Sequence, residues 1–363
     1  MVHCAGKYYK KSSSLILSIF MLVFTTSCWA ESLTLAGKIG TSPVVMELEL
    51  NKGDVQGRYF YRRHHLDLAL EGQLRDDGSL ALTEVSANST AANAEMVLRP
   101  GPNGAWQGNW KTRTRSAALL VQLSPLKTLA SSVAGSSAYD HERLQGLPLR
   151  REHAETVADK KLQWWIEPVS GVRAFRFDSG YDATVMASLN ARLSQEQTIA
   201  ITVFFACQLD YSRRYGSAQA ADFSFSAEPR LLTTTLVSMR FSTVSTCNSG
   251  GLSIHGSSMN VQIPGLRELE LSQLIWGEDK PVVADQSALS SWIANAMQNL
   301  YGNDMADLKE RCAARDEEIW RQPAWSMTAA GVTLEPVFSQ NKQGPCGGEW
   351  LLPWTMFKLK PVR

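Results

Sequence analysis

The chain has 363 residues, 44% of them hydrophobic and 20% charged, and a formal net charge of +1. That length can bury a large core and points to about two domains. The near-neutral balance gives no reason to expect nucleic-acid binding, which usually calls for a basic face.

Residues 1–30 read as a signal peptide. Lys7, Lys10 and Lys11 form a positive start, and the apolar run 15–24 is too short to span a bilayer. Cys28-Trp29-Ala30 then offers a small-x-small cleavage site before Glu31. Losing the three lysines takes the charge from +1 to −2. No later stretch is long and apolar enough to cross a membrane, so the protein is expected to be exported, periplasmic or secreted. Thr25-Thr26-Ser27-Cys28 carries an alternative: it resembles a lipoprotein box, which would leave Cys28 lipidated and the protein anchored.

From 31 to 124 the pattern is short strands and turns. Val44, Met46, Leu48 and Leu50 alternate with Val45, Glu47 and Glu49, the period of a half-buried strand. Tyr59 and Tyr61 alternate in the next run, His65 to Leu70 follows, and Asp77-Gly78 marks a hairpin. Further candidates at 95–99, 105–110 and 117–123 make about eight strands spaced near ten residues, an antiparallel meander closed as a sandwich or a small barrel. Residues 125–160, rich in Ser, Ala and Gly and then in charge, read as an interdomain linker with at most a helical turn or two.

From 161 to 363 the texture is mixed, giving an α+β fold overall. Tyr181 to Ser194 has helical spacing, with Val185, Leu189 and Leu193 on one stripe. Strand-like runs follow at 198–211, 221–228, 231–246 and 252–261. Ser287 to Tyr301 and Asp304 to Trp320 read as helices, the first with Leu289, Ile293, Ala296 and Leu300 on one face. Two strands, 325–337 and 350–358, close the chain around Gly344-Pro345-Cys346-Gly347-Gly348.

Four cysteines survive signal cleavage: Cys207, Cys247, Cys312 and Cys346. In an oxidising compartment an even count reads as two disulfides with three connectivities; no pair has Cys-x-x-Cys or zinc spacing. Cys207 in the apolar run ITVFFACQL and Cys247 at the end of another run are expected to sit on neighbouring strands and pair. Cys312 on a helix and Cys346 in a glycine-flanked turn form the second pair, each pair being nearest in sequence.

The order of the second half is similar to a known one. Leu189-Asn190-Ala191-Arg192-Leu193, strands, a Cys247–Gly250-Gly251 corner, Leu274-Ile275-Trp276, a helix, Trp325 to Val332, and Leu352-Pro353-Trp354 resemble the secreted domain of unknown function found in lysozyme-sensing anti-sigma factors and in uncharacterised periplasmic proteins. The resemblance covers roughly residues 160–363. It departs at the corner, where Cys247-Asn248-Ser249-Gly250-Gly251 stands in place of Cys-Gly-Gly-Ala-His. The resemblance implies a partner-binding role and brings no catalytic residue or cofactor.

Catalytic motifs are sparse. Ser124-Pro125-Leu126-Lys127 has Ser-x-x-Lys spacing without partner motifs, and Gly251 to His255 lacks the final glycine of a nucleophile elbow. His64 and His65 point to opposite faces of a strand, so only one could join Asp67 on a metal. Aromatic pairs are the better candidates for a binding surface: Tyr59/Tyr61, Trp106/Trp110 and Trp164/Trp165, whose rings would stack on a glycan or a peptide. The expectation is a non-enzymatic envelope binding protein, with a protein such as lysozyme or another envelope component, protein or glycan, as partner, possessing no cofactor and binding no nucleic acid. The rival is a glycan hydrolase with a carboxylate pair.

Overall fold

A computed structural model describes residues 31–85, 94–112, 117–126, 137–215, 221–247, 253–277, 286–312, 316–338 and 346–358. Residues 1–30, read above as the signal peptide, lie outside these, as do the Gly250-Gly251 corner and Gly344-Pro345.

The alternating apolar residues of the first third produce a barrel. Strands β1 (Glu31–Ile39), β2 (Ser42–Asn51), β3 (Asp54–Tyr61), β4 (Asp67–Leu74), β5 (Leu80–Glu84), β6 (Ala94–Pro100), β7 (Trp106–Thr112) and β8 (Leu119–Pro125) pair antiparallel in chain order. β8 returns to pair with β1, which closes the sheet and removes its edges. Leu35, Met46, Leu48, Tyr59, Leu82, Met96, Leu98 and Leu123 fill the inside. At the closing seam Gly37 lies opposite Leu123, and an added Cβ there would overlap the Gln122 carbonyl oxygen. Close strand approach therefore requires glycine at this position.

The stretch 125–160, expected as a linker, is partly built into the fold. Helix α1 (Ala138–Gln145) packs on the outside of the barrel, its Tyr139 against Val45 and Phe60. Strand β9 (Arg150–Val157) pairs with β10 (Lys160–Ile166), which pairs with β11 (Arg173–Ser179). β9 was hidden because its run RREHAETV is mostly charged, and it forms an edge strand with almost every side chain in solvent. Its turn carries Ala158 and Asp159 at positive φ, 45° and 64°, without the Asn-Gly signature of such turns.

A second correction concerns 198–211. These residues are not a strand; helix α2 runs unbroken from Ala183 to Tyr215. Asp182 starts it by accepting hydrogen bonds from the Thr184 and Val185 backbone N–H groups, both at 3.0 Å. The buried stripe Val185, Leu189, Leu193 continues through Gln197, Ile201, Phe205 and Leu209, so the four-residue period never breaks. Its first half packs on Phe175 and Phe177 of β11. There Asn190 bonds both the N–H and the carbonyl of Phe177, at 2.7 and 2.9 Å, satisfying the open edge of that sheet. The far half reaches the barrel, where Arg213 donates to the Gly57 carbonyl at 3.2 Å.

The rest is two further antiparallel sheets and helices. β12 (Phe223–Leu232), β13 (Leu236–Ser245), β14 (Ser253–Gln262) and β15 (Arg267–Glu268) form one sheet; β16 (Ala324–Met327), β17 (Gly331–Glu335) and β18 (Trp350–Pro353) form the other. The single closing strand expected at 325–337 is thus a hairpin. Short α3 (Leu271–Trp276), α4 (Gln286–Cys312) and α5 (Asp316–Ile319) complete the chain; α4 carries the first expected helix across a kink at Tyr301 into the start of the second, whose end is α5. A buried network joins the two sheets: Ser238 Oγ donates to Asn260 Oδ1 (2.6 Å) and accepts from Met327 N (2.8 Å), while Asn260 Nδ2 donates to the Trp325 carbonyl (2.9 Å). The fold is therefore mixed α+β, mostly antiparallel sheet with an eight-stranded barrel first.

Cys207 is bonded to Cys247, and Cys312 to Cys346, with Cα atoms 5.1 and 5.9 Å apart. The first bridge joins helix α2 to the residues just beyond β13, not two neighbouring strands. Among the described residues no helix is long and apolar enough to cross a membrane.

Candidate functional site

The proposed aromatic surface is mostly interior. Tyr59 is fully buried in the barrel, and Tyr61, Trp106 and Trp110 pack against the same core. Tyr59 Oη and Trp110 Nε1 both donate to Glu84 Oε1, the latter at 2.9 Å. Burial and this carboxylate push the Tyr59 phenol far above its ordinary range. These rings hold the barrel together; period two placed them on one face, and closure turned that face inward.

Trp164 and Trp165 part company, as neighbours on a strand must. Trp164 meets Phe175 edge-on, stacks on His153 and donates Nε1 to Glu155 at 2.7 Å. Trp165 lines a cavity on the opposite face.

The histidine pair makes no metal site, since Asp67 is committed elsewhere. It is fully buried, ion-paired to Arg143, bonded by Tyr139 Oη at 2.5 Å, and 3.7 Å from Arg58. The Arg143 guanidinium lies 4.4–5.1 Å from the ring centres of Phe205, Tyr139 and Phe60. This cluster is the seam where barrel, α1 and α2 meet. Among the described residues no group of three metal-ligating side chains converges. Ser253 and His255 do hydrogen-bond, at 3.0 Å along β14, but Ser253 is buried and the nearby Glu335 is paired with Arg240.

The cavity beside Trp165 measures about 430 Å³ and is lined by Leu149, Arg151, Gln163, Trp165, Arg176, Phe177, Asp178 and Ser194. Sheet β9–β10–β11 forms its floor, and α2 contributes Ser194 to a wall. Arg176 sits between two buried phenylalanines, donating Nη1 to the Phe175 carbonyl (2.8 Å) and Nη2 to Gln197 Oε1 (2.7 Å). Gln197 is itself fixed, because its Nε2 donates to the Trp165 and Val172 carbonyls. No carboxylate among the described residues pairs with Arg176, and desolvation pushes its guanidinium down to about 10. Asp178 is the one carboxylate of the lining, and Lys161 holds it at 2.9 Å. Sequence reasoning passed over Arg176; the signal available was a lone cation inside the apolar strand Phe175-Arg176-Phe177.

No family model matches the chain, and no curated protein is similar to it. Among solved structures it is similar to a DUF3298 family member from Bacteroides fragilis, at 13% identity over 58% of this chain and 91% of that one, with a TM-score of 0.37. It is also similar to a DUF3298 family protein from Pseudomonas aeruginosa, at 15% identity over 58% and 94%, with a TM-score of 0.34. Neither likeness is strong enough to identify a family or an activity.

Proposed function

We infer that this chain is an exported binding protein of the cell envelope, working on a protein or glycan partner without catalysis. The observation that carries the reading is the Trp165 cavity. Its lining offers a half-buried ring, hydrogen-bond donors and Arg176, a cation with no acid paired to it, which is the chemistry of recognition. A hydrolase would need two free carboxylates across a cleft. The lining supplies Asp178 alone, already paired with Lys161, and Glu196, whose carboxyl burial raises, is not part of it. The two disulfides are compatible with the oxidising compartment that residues 1–30 imply, with maturation at Glu31. The sequence resemblance makes lysozyme or another envelope component the partner to test first. In domain terms the barrel 31–124 is one body and 161–363, with β9 added, is the other.

The test is retention on the immobilised mature protein. Lysozyme and soluble peptidoglycan fragments are passed over it, and reducing ends are assayed in the eluate. Retention of either without new reducing ends is expected. Release of reducing ends would establish the hydrolase instead, and retention of neither would refute the binding reading for these partners.

A further inference from the structure

The register of β9 against β10 determines which charge faces Trp165. Gln163 lies opposite Ala154, but Trp165 lies opposite Arg151. Two steps along β10 thus match three along β9, so β9 carries one extra residue, a β-bulge. In an unbulged ladder Glu152 would stand opposite Trp165. The bulge puts Arg151 there, and Glu152 is held instead by Arg173 at 3.0 Å. Gln163 stabilises the irregularity: its buried Nε2 lies within hydrogen-bond distance of the Glu152, His153 and Trp164 carbonyls, at 3.2, 3.0 and 3.0 Å.

The consequence is a cavity with two arginines and one carboxylate, Asp178, which Lys161 holds at 2.9 Å. Of the five N–H groups of a guanidinium, Arg176 spends two on Phe175 and Gln197, and no other acceptor among the described residues takes the rest. Arg151 forms no ion pair within 4 Å among the described residues, and Asp178 is held by Lys161 in an exposed pair and also feels the Arg151 charge. A planar fork of donors in partly desolvated surroundings matches a carboxylate or phosphate, and the half-buried Trp165 indole offers a flat face beside it.

We propose that the Arg151–Arg176–Trp165 cavity binds an oxyanion, carboxylate or phosphate, carried on a ring that lies against Trp165. This rests on the binding reading above and gives it a ligand class. The bulge makes the site, because without it an acid would repel the same ligand.

Isothermal titration calorimetry on the mature protein tests this with three probes: glucuronate, glucose 6-phosphate and neutral glucose. At least one anion is expected to bind saturably, glucose at least about tenfold more weakly, the difference expected from charge-assisted hydrogen bonds. Which anion binds distinguishes carboxylate from phosphate. Arg176→Gln and Arg151→Gln should each weaken the anion about tenfold, while Lys111→Gln on the barrel changes nothing. Arg151 is exposed, so its variant keeps the test valid if Arg176→Gln fails to fold. Glucose binding as tightly as the anions would overturn the oxyanion proposal and leave the binding reading standing. No binding by any probe, or an Arg151→Gln affinity equal to wild type, would also overturn it; retention of lysozyme or peptidoglycan would still support the broader reading.

Discussion

Breaking the seam between barrel and helices is the most informative perturbation of the fold. Arg143 and Asp67 are 1% and 0% exposed, so removing either charge leaves the other out of water without its nearest opposite charge. Asp67→Asn keeps an acceptor for Tyr139 and leaves Arg58 with Glu47 at 2.8 Å and Asp140 at 3.3 Å. The whole penalty therefore falls on Arg143. A stranded buried charge costs about 3–5 kcal/mol, and the three surrounding rings, which shelter a cation, put this case near about 3 kcal/mol. Arg143→Met leaves Asp67 with Tyr139 and, at 3.7 Å, Arg58, so it should cost less, about 2 kcal/mol. The double variant strands neither charge, so it should cost less than either single, about 1 kcal/mol against an additive sum of about 5 kcal/mol, a coupling of about 4 kcal/mol. Urea unfolding followed by circular dichroism on the four proteins measures it. Additive losses, or single losses below about 1 kcal/mol, would refute the idea that this pair locks the barrel in place.

Three further outcomes follow from particular residues. Burial, aided by Arg143, Arg62 and His64 and opposed by Glu167, lowers the His65 pKa below its unfolded value, so the unfolded chain takes up the proton first. Stability should be fully present above about pH 6.5 and fall as the pH drops through the lowered folded value; His65→Phe should flatten that part of a pH series of unfolding midpoints. Ala158 sits at φ 45°, which costs a non-glycine residue about 1–2 kcal/mol, so Ala158→Gly should stabilise by about 0.5 kcal/mol after its entropy cost; a lower unfolding midpoint would contradict the turn described. Replacing Cys207 and Cys247 together by serine opens a loop of 40 residues and should cost about 4 kcal/mol, read by thermal unfolding against wild type, with no loss counting against the bridge.

The barrel was legible because its signal is local. Val44, Met46 and Leu48 alternate whatever lies next to them, and all three are buried inside. What the alternation could not reveal was closure, and closure decides whether Tyr59 and Trp110 meet ligand or core. The second half of α2 was misread because Ile-Thr-Val-Phe-Phe is a β-branched, apolar run that suits a strand equally well. The four-residue stripe from Val185 to Leu209 was the better guide, and it needed to be followed past Ser194. The Arg176 cavity was harder. Its second arginine depends on a bulge, and a bulge is a property of two strands in register, which a single run such as RREHAETV does not encode.

Helix α2 has one more consequence. A helix of 33 residues is a rod about 50 Å long, and Ser194 at the cavity wall lies about 28 Å along it from Arg213 on the barrel. The cavity wall and the barrel contact both sit on this one unbroken rod. A cavity wall and a hold on the barrel are thus carried by a single element, so the placement of Ser194 and that of Arg213 are fixed by the same helix axis.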